Sequence, residues 1–146
     1  MTILWRISNY ADLSGRGGLV APGRWHEMGT PVVYCCDHPS TALLETLVQV
    51  SLQLIPETFQ LLRISAPDDL PLVDIAMDQD DFDDSSRTRS KGTLLLQSGE
   101  ACLIRVPSAI MPAAVNILIN PQHPRAHEIR IVDIKSYPFD SRLLQP

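Results

Sequence analysis

The stretch GRWHEMGTPVVYCCDHPSTALLETLV, residues 23–48, passes from loop to strand to helix. It opens by setting Arg24, Trp25, His26 and Glu27 between glycines, then turns at Gly29-Thr30-Pro31. The run Pro31–Cys36 (PVVYCC) that follows reads by composition as a mostly buried strand. Asp37-His38-Pro39-Ser40 then starts a helix: Asp37 or Ser40 can cap it, and proline fits its first turn. The helix is expected to reach about Leu54, where Pro56 closes it, with Leu43, Leu47, Val50 and Leu54 on one apolar stripe. Glu45 lies off the centre of that stripe, which puts it at the edge of a cleft instead of facing bulk water.

Working outward, Ile3–Ile7 reads as a short strand. Ser14–Gly23 (SGRGGLVAPG) is expected to be a loop without regular structure, since it holds four glycines and a proline. Thr58–Ile64 and Leu72–Ile75 are further strands. The acidic run Asp78–Asp84 reads as a solvated turn leading into a helix capped by Ser85 or Ser86, reaching Leu96 and stopping at Gly99. Cys102–Val106, Val115–Ile119 and Glu128–Ile134 alternate as strands do. Strands outnumber helices about two to one, and the expected architecture is α+β: a twisted, largely antiparallel β core with a few packed helices.

The chain has 146 residues and is 45% hydrophobic, enough for one core, so residues 1–146 are expected to form a single domain. A formal net charge of −5 argues against direct nucleic-acid binding, which needs concentrated Lys and Arg. The N-terminal MTILWRISNY lacks the apolar core of a signal or membrane segment. The three cysteines, Cys35, Cys36 and Cys102, then suggest reduced thiols in a cytoplasmic protein.

Familiar chemistries fit poorly. The glycine-rich segment matches neither the Walker nor the Rossmann fingerprint. Cys35, Cys36 and His38 do not have the spacing of a zinc site, and His123 and His127 flank a proline, so no metal is expected. The acidic run lacks the glycine and terminal glutamate of a calcium loop. No G-x-S-x-G elbow is present, and cysteines in apolar strands are usually inert. Arg24, Tyr34, Glu45 and Ser108 remain, each with an ordinary structural explanation when taken alone.

Together and in this order they carry a resemblance. WRIS (residues 5–8), LSGRGGLVAPGRWHEMGTPVVYC (13–35), STALLETLV (40–48), RVPSAIMP (105–112), NILINPQHP (116–124) and FDSRL (139–143) resemble the RES domain family, named for its arginine, glutamate and serine. The resemblance spans nearly the whole chain. It implies the toxin of a bacterial Res–Xre type II toxin–antitoxin system, with an ADP-ribosyltransferase-like fold acting on NAD⁺. By matching motif, Arg24, Tyr34, Glu45 and Ser108 are the implied catalytic set. Arg6, Gly23, Trp25 and Asn116 are the implied nucleotide-binding set. No cofactor is required, because NAD⁺ is the substrate.

On this reading the nicotinamide–ribose bond breaks through an oxocarbenium-like transition state, which Glu45 stabilises. Arg24 offers a planar fork to the pyrophosphate. Tyr34 gives a flat face to nicotinamide, and Ser108 a donor to a phosphate or ribose oxygen. Glycines 15–23 are expected to bring backbone amides close to phosphates. Trp25 either stacks on adenine or anchors the loop, and anchoring is favoured. The acceptor is open: water gives a glycohydrolase, phosphate a phosphorylase, and a protein side chain an ADP-ribosyltransferase. The implied partner is an Xre-type helix-turn-helix antitoxin that plugs the pocket, and a toxin homodimer is expected within the complex. A nucleotide-sensing, non-catalytic subunit of a repressor complex is the competing class. Such a sensor would need Arg24 and Tyr34 for affinity but no carboxylate at the ribose.

Overall fold

The computed structural model describes residues 1–144, apart from the side chain of Leu52. The last two positions of the expected 1–146 unit lie outside the described residues. The strands are β1 (Thr2–Ile7), β2 (Val33–Cys36), β3 (Thr58–Ala66), β4 (Leu72–Asp74), β5 (Leu103–Pro107), β6 (Val115–Ile119) and β7 (Arg130–Pro138). They form one seven-stranded sheet in the order β4-β5-β6-β2-β1-β3-β7. Among the described residues only β4 and β5 run parallel; every other pairing is antiparallel. This is the α+β architecture expected from the sequence.

The centre of the sheet creates the site. Strand β1 pairs with β3 continuously, from Thr2 opposite Ala66 to Ile7 opposite Leu61. Strand β2 pairs with β6 over all four of its residues. Between β1 and β2, however, the register holds at Trp5 opposite Cys36 alone. Beyond that point Arg6 and Ile7 diverge from Cys35 and Tyr34. The sheet is thus two halves joined at one end and open at the other. Across the opening the Arg6 Nη1 donates to the Tyr34 carbonyl at 2.8 Å, meeting a group that a continuous ladder would pair with backbone.

Apolar residues bury both faces. One cluster gathers Leu4, Val33, Leu62, Ile64 and Ile117; the other gathers Trp25, Val32, Leu96, Ile104 and Leu118. Four helices accompany the sheet: α1 (Gly17–Val20), α2 (Pro39–Gln49), α3 (Gln79–Asp83) and α4 (Ser85–Ser98).

Several local expectations change. The glycine segment does contain a turn of helix, α1, closed by the Ala21 amide on the Gly17 carbonyl. Helix α2 stops at Gln49, and His38, not Asp37 or Ser40, caps it: the His38 Nδ1 accepts from the Ser40 amide at 3.1 Å. Its leucine stripe is not the buried face. Thr41 and Ala42 are buried, Leu43 and Leu47 only half so, and Leu54 is 76% exposed. The helix packs on β1 and β2 and also borders the cleft through Ala42, Glu45, Thr46 and Gln49, so its position overrides the periodicity.

The acidic run forms α3, with Asp78 accepting from the Asp81 amide and two further aspartates in its first turn, where the helix dipole favours them. Asp84, not a serine, caps α4 by accepting from the Ser86 and Arg87 amides. Gly99 ends that helix in the left-handed conformation at φ 74°, as expected. Strand β7 extends to Pro138, past the anticipated end at Ile134.

Helix α4 looks like a solvated helix by composition, yet its polar residues clamp residues 23–27. Thr88 donates to the Arg24 carbonyl at 2.6 Å, and the Arg89 Nε to the Gly23 carbonyl at 2.8 Å. The Glu27 amide donates to Thr93 Oγ1 at 2.9 Å. Gly92 permits this approach: a Cβ there would collide with the Trp25 carbonyl.

Candidate active site

A cleft of about 820 Å³ opens at the divergence of β1 and β2. Its walls include Arg6, Tyr34, Cys36, Glu45, Asn116 and the segment from Ser14 to His26. That volume lies within the range of small-molecule sites, and the mixture of apolar walls with a few convergent polar groups is typical of them.

Glu45 sits on α2 facing the cleft. Its Oε1 accepts from the Ser108 hydroxyl at 2.9 Å and from the Asn116 Nδ2 at 3.0 Å. Among the described residues no donor meets Oε2. Ser108 follows β5 and is 1% exposed; its Oγ also accepts from the Met111 amide at 3.1 Å. The serine proton is therefore directed at Glu45, and the residue holds the carboxylate instead of offering a donor to a ligand. Asn116, on β6, has its amide orientation fixed from the other side, where the Cys36 thiol donates to Oδ1 at 3.4 Å. Burial, with the Glu45 and Asp37 charges adding to it, pushes the Cys36 thiol up to about 12 and keeps it protonated.

Tyr34 projects from β2. Its hydroxyl oxygen accepts from the Trp25 amide at 3.1 Å and lies 2.7 Å from the His26 Nδ1. Burial raises this phenol to about 12. Gly23 fits against the pair so closely that a Cβ would stand 2.7 Å from both His26 Cε1 and the Tyr34 oxygen. Gly23 is thus required for packing, whatever it does for a nucleotide.

Arg24 also lines the cleft. Its Nη2 donates to the Phe82 carbonyl at 2.8 Å, and its guanidinium lies 4.3 Å over the Phe82 ring. The acidic segment therefore has a place at the site: Phe82 of α3 holds Arg24. The Nε atoms of Arg6 and Arg24 are buried without a partner. Trp25 has its indole in the core at 1% exposure, which is the anchoring role; only its backbone reaches Tyr34.

The expected phosphate cradle is altered. The amides of Gly18, Leu19, Ala21 and Gly23 all donate to carbonyls within the same segment. The structure thus brings Glu45, Ser108 and Asn116 into one cluster, and Tyr34, Gly23 and Trp25 into a second. Arg6 bridges the split, while Arg24 packs against Phe82 of α3. Sequence reasoning missed His26 and Phe82 as members. His26 stood beside the quoted arginine and tryptophan, and Phe82 is the single aromatic in the acidic run.

Comparison with known proteins bears on the family of the chain. The RES domain family model matches residues 3–140. A protein named Toxin Res from Pseudomonas putida is 44% identical over 144 residues, covering 97% of this chain and 99% of that one. The Prs ADP-ribosylating toxin of Sphingobium sp. is 33% identical, covering 99% of this chain and 98% of its own. Among solved structures, the M. tuberculosis MbcT–MbcA toxin–antitoxin complex contains a chain that superposes with a TM-score of 0.71 at 20% identity, over 99% of this chain and 87% of that one. At that identity the likeness establishes the fold alone. The family match over residues 3–140 and the toxin relatives show that this chain belongs to the RES domain family.

Proposed function

We propose that this protein is the toxin of a toxin–antitoxin pair and that it cleaves the nicotinamide–ribose bond of NAD⁺. The observation that carries the reading is Glu45. One carboxylate oxygen is held by Ser108 and Asn116, and the other meets no donor among the described residues, within a cleft large enough for a dinucleotide. A carboxylate fixed on one side and open on the other suits a ribose hydroxyl and the positive charge that develops at C1′.

The bond between C1′ and the pyridinium nitrogen breaks with its electron pair passing to nitrogen. This neutralises the ring, so no general acid is needed. An acceptor oxygen then bonds to C1′ and gives up its proton. Arg6 and Arg24 supply cations for the pyrophosphate, and the Tyr34 ring gives the nicotinamide a flat wall. Ser108 and Asn116 keep Glu45 in place, a requirement because an error of about 1 Å at such a group can cost 10²-fold in rate.

Water or phosphate as acceptor gives growth arrest by loss of NAD⁺. The name of the Sphingobium relative favours a second acceptor, a protein side chain. The partner on this reading is an Xre-type helix-turn-helix antitoxin, supported by a structural neighbour that is itself a toxin–antitoxin complex.

The test is incubation of the purified chain with NAD⁺, with and without phosphate, and product analysis by mass. Nicotinamide with ADP-ribose, or with its phosphorylated form, is expected. Intact NAD⁺ in the presence of folded protein and of candidate protein acceptors would contradict the reading.

A further inference from the structure

The cleft contains a buried imidazole that the proposed reaction leaves without a task. His26 is 4% exposed, and its Nε2 lies 2.8 Å from the Ala21 carbonyl. A carbonyl only accepts, so Nε2 carries the proton and the neutral ring presents Nδ1 as an acceptor. The group 2.7 Å from Nδ1 is the Tyr34 hydroxyl, whose proton is therefore directed at His26. The Trp25 amide donates to the same phenolic oxygen. Tyr34 is thus gripped at its far end by two hydrogen bonds, one given and one received, with Gly23 leaving no room for it to shift.

We propose that His26 is a positioning residue acting through Tyr34: it accepts the hydrogen bond of the phenol and holds the ring as a flat, non-donating wall for the planar cationic ring of the substrate. This rests on reading the cleft as an NAD⁺ site. A free phenol would rotate its hydroxyl and seek a partner in the cleft. A phenol whose proton is already engaged offers its π face, which attracts a cation, and little side-chain freedom is lost when the ligand docks. Burial holds the imidazole below its ordinary value and the phenol above its own, so the arrangement persists near neutral pH. The nearby Arg89 charge also disfavours a protonated His26.

Two substitutions separate the two ends of the imidazole. In His26→Asn the amide reaches the place of Nδ1 and can still accept from Tyr34. In His26→Gln it reaches the place of Nε2, keeping Ala21 and losing Tyr34. Each is made in the natural chain and in Tyr34→Phe, and the affinity for NAD⁺ is measured by calorimetry alongside nicotinamide release. His26→Gln is expected to weaken NAD⁺ binding about tenfold, the scale of one lost hydrogen bond, and His26→Asn by much less. In the Tyr34→Phe background both should change affinity less than about twofold, since His26 has no hydroxyl left to hold. Nitrogen-15 NMR of the natural chain should show His26 protonated at Nε2 alone.

An equal loss from His26→Gln in both backgrounds, or a proton on Nδ1, would overturn the proposal. A chain that binds NAD⁺ without releasing nicotinamide would sink the proposed reaction, while the affinity cycle would still decide the role of His26. A chain that does not bind NAD⁺ overturns both.

Discussion

Replacing Ser108 with alanine discriminates between two uses of that hydroxyl. The structure gives it two bonds, one donated to Glu45 Oε1 at 2.9 Å and one accepted from the Met111 amide at 3.1 Å. The Met111 amide belongs to an exposed turn and can turn to water, so its loss is minor. The bond to the carboxylate is of the stronger kind, about 1.5–3 kcal/mol, but Glu45 keeps Asn116 and part of its solvent. Ser108→Ala is therefore expected to cost about 1–2 kcal/mol of stability, read from thermal or denaturant unfolding.

Its effect on turnover should be larger in proportion. A carboxylate held by one donor instead of two samples wrong positions, and kcat for nicotinamide release should fall about 10- to 100-fold. KM should change little, because the hydroxyl does not reach the substrate. Combining it with Asn116→Ala should give a non-additive loss, since both act through Glu45. A raised KM with unchanged kcat would refute this reasoning and restore Ser108 as a direct phosphate or ribose donor.

Other expectations are independent of that pair. Cys35 and Cys36 are buried, with thiols driven up to about 12 mainly by that burial. Both should resist iodoacetamide at neutral pH in the folded chain and react only in denaturant, as followed by mass; rapid alkylation of the native protein would contradict this. Gly92→Ala should lower stability by about 2–4 kcal/mol and abolish activity, since its Cβ must displace the Trp25 backbone; an unchanged melting temperature would show that α4 does not clamp the loop. Burial lowers the His26 pKa from 6.5, so the unfolded state takes up that proton first. Its contribution to stability is therefore complete above about pH 6.5 and is lost as pH falls toward the folded value. His26→Asn should flatten the unfolding free energy over that window, and an unaltered slope would count against it.

The sequence was most legible where local chemistry decides structure. Gly99 ends α4 because a left-handed residue is needed there, and Val115–Ile119 is a strand by its alternation. Glu45 was placed at a cleft edge from its angular position alone. What could not be read depends on partners distant in sequence. The divergence of β1 from β2 is a matter of register between residues about thirty apart, and nothing in either strand announces where pairing stops. The leucine stripe of α2 misled because Thr41 and Ala42 are the residues the helix buries. Ser108 lies 63 residues from Glu45, and Arg24 lies 58 from Phe82, so neither contact had a local signal. The hydroxyls and arginine of α4 bind the backbone of residues 23–27, contacts between segments more than sixty residues apart.

The central claim is that Glu45 acts on the transition state and not merely on binding. Glu45→Gln tests it most directly: the amide oxygen still accepts from Ser108 and Asn116, so the local frame is kept while the charge is removed. NAD⁺ affinity by calorimetry and nicotinamide release are measured on the same preparation. The account predicts affinity within a few fold of the natural chain and turnover lower by about 10²–10³. Undiminished turnover in the folded variant would contradict it, and a loss of affinity equal to the loss of turnover would make Glu45 a binding group alone.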